Sequence, residues 1–299
     1  MLQMALRLRA MMFINKNTSS FSSPIRLVSL DWLLKAMLIP FLGLMMLPNC
    51  AQAKTSDEAS AAGAEKSEYR LAALIIDDIG DLRQSGIRAI NLSANITVSI
   101  LPHTPFGTEL AKLAHKQGRE VMLHMPMEAQ KKINPGPGAI YLDMDENHIR
   151  QAMRAALADI PHARGVNNHM GSLITRHPGH MQWIMEELQV IGDLYFIDSR
   201  TTARTVAQDL AEEQGVKNSA RTIFIDPQRD RKIIEQQIKK FIAAAQKEDG
   251  VIAIGHPYPE TLDLLEYYLP RIEAKGIKLV PPSTFVDKSA DNPVEEMQP

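Results

Sequence analysis

The sequence predicts an α/β fold, a distorted (β/α) barrel of seven or eight parallel strands, on three observations. Eight short apolar runs of ordinary strand length alternate with amphipathic stretches of helical period. The first run, LAALII at 71–76, shows no polar alternation, as a strand buried on both faces of a parallel sheet requires. The alternating region covers about 225 residues, the size of one barrel. A flat doubly wound sheet has the same alternation, and counting strands does not separate the two.

Taken in chain order, residues 1–53 read as an export signal. Lys35 is a basic flank, about a dozen apolar residues run from Ala36 to Leu47, and Ala51, Gln52 and Ala53 form an A-x-A cleavage pattern. An uncleaved anchor needs roughly 18 to 20 apolar residues, more than this stretch offers. A lipoprotein signal would use Cys50, but Asn49 before it is a poor fit. Cleavage after Ala53 would remove the single cysteine and leave a periplasmic chain with no membrane span, no disulfide and no cysteine metal site. Residues 54–68, small and polar, read as a flexible tether, 69–286 as the folded domain, and 287–299 as a disordered tail.

Within the domain the strand runs are LAALII, NITVSILP, REVMLH, RGVNNH, LYFIDS, RTIFID, GVIAIGH and IKLV. The segments between them carry helix signals. TPFGTELAKLAHKQG closes on Gly118 as a C-terminal cap, and DMDENHIRQAMRAALADI opens on Asp143 with Glu146 three residues on, a capping box. Pro178 suits the first turn of HPGHMQWIMEELQVIG, and Ile234, Ile238, Phe241 and Ile242 mark the apolar stripe of the helix after Asp230.

Composition narrows the partners. With 45% hydrophobic residues and a formal charge of -2, the chain builds a sizeable core and carries no basic excess for nucleic acid. At 5% aromatic content, it offers little stacking surface for a long sugar polymer.

The residues that follow the apolar runs are Asp77 and Asp78, His103, His124, Asn167 with Asn168 and His169, Asp198, Asp226 and His256. In a parallel barrel these ends share one face, where ligands bind. A single histidine or acid after a strand is more often structural; His103 and Asp226 read that way, and His115, His148, His162, His177 and His180 read as surface residues. Two adjacent acids at a buried strand end are different, because they repel unless a cation or proton lies between them. Adjacent residues at a strand end point in different directions, so one can bind a metal while its neighbour faces substrate. One carboxylate and two neutral imidazoles suit Zn²⁺ or a similar divalent metal, with the second acid free to take a proton from water.

Five segments, LIIDDIG, HMPME, GVNNHMGS, YFIDS and IAIGHP, occur in this order in the divergent polysaccharide deacetylase family, and the resemblance runs from about Leu71 to Val286. It implies a distorted barrel and, as in active members of the wider polysaccharide deacetylase group, a divalent metal used to remove acetyl groups from glycans. It implies Asp77 as a base, Asp78 as a metal ligand and His256 as the group assisting departure. The middle segments depart from the wider pattern. The usual His-x-x-x-His pair is absent, HMPME contributes only His124, and His169 stands where the common family has an arginine-containing segment. Asp78, His124 and His169 would restore three ligands from three strands.

The expectation is an exported, metal-dependent carbohydrate deacetylase acting on an envelope glycan. Asn167, Asn168 and Asp198 are placed near the substrate, the two amides as donors to an oxyanion. A non-catalytic, metal-stabilised protein that binds an envelope partner is the second possibility. A glycosidase using Asp77 and Asp198 is the third.

Overall fold

A computed structural model describes residues 69–286; the expected signal, tether and tail, with Cys50, lie outside the described residues. Among these residues the strands are β1 (Arg70–Ile79), β2 (Thr97–Ile100), β3 (Glu120–Met127), β4 (Ala163–Met170), β5 (Tyr195–Asp198), β6 (Asn218–Ala220), β7 (Ile223–Phe224), β8 (Val251–Gly255) and β9 (Ile277–Leu279). All pair in parallel, in the order β6, β5, β4, β3, β2, β1, β8, β7, and β9 pairs with the start of β1.

One short link decides between barrel and flat sheet. β6 and β7 end the order, yet only Arg221 and Thr222 separate them in the chain. Laid flat at about 4.8 Å per strand, the end strands would stand roughly 34 Å apart. Three residue steps reach at most about 11 Å. The sheet must therefore curl. The Arg221 N–H donates to the Asp198 carbonyl and the Thr222 N–H to the Ile252 carbonyl, so the link is tied to β5 on one side and β8 on the other. β6 is the strand that the apolar runs did not reveal, since Asn-Ser-Ala carries no hydrophobic signal.

The two faces of β1 divide the core. Ala73 and Ile75 join Met122, Tyr195, Ile197, Ile252 and Ile254 in one cluster, against which Phe285 and Val286 pack. Ala72, Leu74 and Ile76 belong to the larger cluster shared with the helices. Both sets are buried, which is why the run lacks polar alternation. Burying each Ile or Leu contributes about 1.5–3 kcal/mol.

The helices are α1 (Arg83–Ile90), α2 (Gly107–Lys116), α3 (Glu146–Asp159), α4 (Pro178–Ile191), α5 (Ala207–Glu213), α6 (Arg231–Ala245), α7 (Pro259–Glu273) and α8 (Ser283–Val286). Pro178 opens α4, and Gly118, at φ 72°, follows α2. The expected cap of α3 is corrected by two residues. Asp145, not Asp143, accepts from the His148 N–H, because the turn closed by the Met144 N–H on the Tyr141 carbonyl delays the helix. Asp230 caps α6 by accepting from Lys232 and Ile233. Gly80 ends β1 at φ 141°, where a Cβ would lie 2.2 Å from Thr104 Oγ1. No helix among the described residues is long and apolar enough to cross a membrane.

Candidate functional site

The two acids of β1 reach one site because the strand is irregular there. Ile76 pairs with Val98 and Ile79 with Ile100, so Asp77 and Asp78 together oppose Ser99 in a β-bulge. Asp78 takes φ 56°, a left-handed conformation uncommon for a non-glycine residue. Regular alternation would send the two side chains to opposite faces. Instead Asp77 Oδ2 lies 3.6 Å and Asp78 Oδ1 3.1 Å from the same atom, His124 Nε2. The bulge thus brings both carboxylates to one imidazole.

Asp78, His124 and His169 come together from β1, β3 and β4 as a group able to hold a metal ion. Asp78 Oδ1 is 2.9 Å from His169 Nδ1, and His169 Nδ1 is 3.2 Å from His124 Nε2. Ligand atoms around a tetrahedral Zn²⁺ at bonds of about 2.0–2.1 Å lie about 3.3 Å from one another. The three atoms stand close to that spacing. Asp78 Oδ1 is buried and forms no well-directed hydrogen bond among the described residues, as suits an atom converging on a shared centre. Burial opposes charge on Asp78, but the imidazoles of His124 and His169 outweigh it and hold the carboxyl well below the usual carboxylate range. The donor set fits a divalent cation.

Asn167 orders the first layer from behind. Its Oδ1 accepts from Ser99 Oγ at 2.6 Å and faces His124 Nδ1 at 2.7 Å, while its Nδ2 donates to Asp77 Oδ1 at 2.9 Å. A flipped amide would set oxygen against the Asp77 carboxylate, so the orientation is determined. The neutral His124 ring then carries its proton on Nδ1, which leaves the Nε2 lone pair toward Asp78 and His169. Burial disfavours charge on His124, and Asp77, Asp78 and Asn167 reverse that, raising its pKa above the ordinary histidine value.

This arrangement bears on the expected oxyanion donors. Asn167 is fully buried and both ends of its amide are engaged. Asn168 donates to the Met170 carbonyl at 2.8 Å and accepts from the Ser199 N–H at 3.0 Å. Each amide nitrogen carries a second N–H beyond these bonds, and of the two residues Asn168 lines the cavity while Asn167 stands behind it. Asp198 is also buried; it accepts from the Arg200 N–H at 2.7 Å and from Thr205 Oγ1 at 2.8 Å, and burial raises its pKa. Asp198 organises the turn after β5 and, unlike Asp77, is not among the residues that line the cavity.

His256, just after β8, has a partner that sequence reasoning set aside. Asp226 accepts from the His256 backbone N–H and from its Nδ1, both at 2.8 Å, and from Thr261 Oγ1 at 2.7 Å. His256 Nε2 then faces Asp78 Oδ2 at 3.7 Å. Burial works against charge on the ring, but Asp226, Asp78 and Asp77 raise its pKa to about 9. Phe224 and Tyr258 flank the ring at centroid distances of 5.6 and 5.4 Å. His103 stays outside the site, with its backbone N–H on Asp159 at 2.6 Å.

Asp77, His124, His169 and His256 line a cavity of about 360 Å³ that also takes in Ser199, Arg200 and Arg221. An arginine therefore does reach the site, from the β6–β7 link rather than from the middle segment. Its Nε donates to the Ser199 carbonyl at 2.7 Å and its Nη2 to the Arg200 carbonyl at 2.9 Å. Burial lowers its pKa, and Asp77 and Asp198 oppose that shift. Its only sequence signal is position, as the first residue of RTIFID. For Asp226 the signal is the same strand's far end, which the β7–β8 pairing sets beside His256.

Known proteins resemble this chain in sequence and in fold. The chain is 33% identical over 225 residues to an uncharacterised protein of Haemophilus influenzae, covering 72% of this chain and 80% of that one. It is 35% identical over 201 residues to the uncharacterised protein YibQ of Escherichia coli, covering 66% of this chain and 63% of YibQ. An uncharacterised protein of Agrobacterium tumefaciens C58 shares the fold, with a TM-score of 0.69 at 17% identity over 73% of this chain and 89% of that one. The sequence profile of the divergent polysaccharide deacetylases matches residues 74–286, a span that holds both acids of β1 and the Asp226–His256 pair, and the chain belongs to that family.

Proposed function

We propose that the protein is a metal-dependent carbohydrate deacetylase, exported to the periplasm and acting on a short segment of an envelope glycan. The observation that carries this reading is the convergence of three ligand atoms, from Asp78, His124 and His169, at a cavity lined by both of those histidines, by the buried Asp77 carboxylate and by the carboxylate-oriented His256. Asp78, His124 and His169 would hold the divalent cation, with Zn²⁺ fitting the nitrogen-rich set. Such a cation supplies Lewis-acid polarisation of an acyl carbonyl and of water.

The remaining steps belong to the chain. Asp77, 2% exposed and held by the Asn167 amide, takes the proton of the attacking water. His256, kept protonated by Asp226, gives a proton to the departing amine across the cavity. The cavity volume stands at the lower end of the range for small-molecule sites, in keeping with a short glycan segment rather than a long polymer.

The test is acetate release from N-acetylated glycan fragments by the purified protein, with and without added Zn²⁺, beside its metal content. Zinc-dependent release is expected. Stoichiometric metal without release from any acetylated glycan would favour an envelope-binding protein over an enzyme.

A further inference from the structure

We infer that Ser199 is a substrate-binding residue whose hydroxyl hydrogen-bonds the acyl group of the ligand; the inference rests on the deacetylase reading above. Ser199 is 6% exposed, and its Oγ has no hydrogen-bond partner among the described residues. Leaving a buried hydroxyl unpaired is unfavourable, and alanine would occupy the same place without losing a bond. Thr97 Oγ1 is also buried and unpaired, but Thr97 does not line the cavity. Ser199 does, alongside Asp77, His124, His169 and His256.

The turn that carries Ser199 is held from several sides. Its N–H donates to Asn168 Oδ1, and its carbonyl accepts from Arg221 Nε. The next residue, Arg200, sits at φ 48°, with its N–H on Asp198 Oδ1. Thr201 Oγ1 donates to the Met170 carbonyl at 2.8 Å. A left-handed non-glycine residue persists where its surroundings over-determine it, and such residues cluster at binding sites. Asn168 and Asp198, expected from the sequence to meet the substrate, both fix this turn. The Ser199 hydroxyl is an unpartnered donor on a residue that lines the cavity. It can donate to an acyl oxygen, which a cation-binding carboxylate cannot do.

The test compares wild type and Ser199→Ala, both zinc-loaded and full length. Binding of an N-acetylglucosamine trimer and of its deacetylated counterpart is followed by NMR titration, beside thermal unfolding and zinc affinity. Ser199→Ala should bind the acetylated trimer about fivefold or more weakly, bind the deacetylated trimer as wild type does, hold zinc equally, and melt at the same temperature or higher. Equal binding of the acetylated trimer by the two proteins overturns the role of Ser199 alone. A melting temperature lowered by several degrees also overturns it, because the hydroxyl would then have a structural partner. A wild type that binds neither trimer overturns the deacetylase reading and this inference with it.

Discussion

Asn167 is the residue whose replacement most sharply separates metal holding from proton transfer. Asn167→Ala leaves Ser99 Oγ, His124 Nδ1 and Asp77 Oδ1 without their shared partner in a buried setting. At roughly 1–3 kcal/mol for each unpaired group, the loss is about 3 kcal/mol or more, and the melting temperature should fall by about 6–12 °C for a domain of this size. The His124 tautomer is no longer imposed, so zinc affinity should drop about 10- to 100-fold, the usual scale for a residue behind a metal ligand. Asn167→Asp should behave differently. It keeps an acceptor for His124 Nδ1, so zinc stays bound, but it sets a carboxylate 2.9 Å from Asp77 Oδ1. Repulsion of about 6 kcal/mol at an effective dielectric of about 20 is enough to trap a proton between the two acids at neutral pH. Hydrolysis should then be lost with the metal in place. Calorimetric zinc titration, thermal unfolding and acetate release read the three effects separately. Wild-type zinc affinity in Asn167→Ala would refute the claim that Asn167 selects the His124 tautomer.

Three further outcomes follow from the same geometry. Asp78→Ala, His124→Ala and His169→Ala should each weaken zinc binding by orders of magnitude while circular dichroism stays native; full occupancy in His169→Ala would remove that residue from the ligand set. Asp77→Asn and His256→Ala should retain zinc yet lower acetate release by about a hundredfold or more. His256→Ala should also lose a basic limb at or below pH 9, because a cation on Asp78 offsets that carboxylate's pull. In the metal-free protein, His256 has a folded pKa of about 9 against an ordinary 6.5. Its contribution to stability should be fully present below pH 6.5 and lost as pH rises through 9. Urea unfolding across that window should show the slope in wild type, and an unchanged slope in Asp226→Asn would contradict the assignment of Asp226 as a source of the shift.

The sequence by itself determined the strands that carry the chemistry, because burial on both faces of a parallel sheet writes itself as uninterrupted apolar runs, and the polar residues that end those runs stand out. Asp77, Asp78, His124, His169 and His256 were legible on that ground, and the ordered segments pointed to the family. What the runs do not encode is which strand ends meet. Asn167 lies 90 residues from Asp77, and His256 lies 30 from Asp226, so their hydrogen bonds exist only through strand order. A sequence shows the amides of Asn167 and Asn168 but not the bonds that hold them to Asp77, Ser99, His124, Met170 and Ser199. Asp198 has the spacing of a site residue, yet its carboxylate is spent on the turn that follows. The arginine that the middle segment lacked enters from a two-residue link that matters only once the sheet closes. Most tellingly, period-two alternation would part Asp77 from Asp78, and a bulge at one left-handed residue joins them. Periodicity records the average conformation of a strand, whereas the site depends on the one position where β1 departs from it.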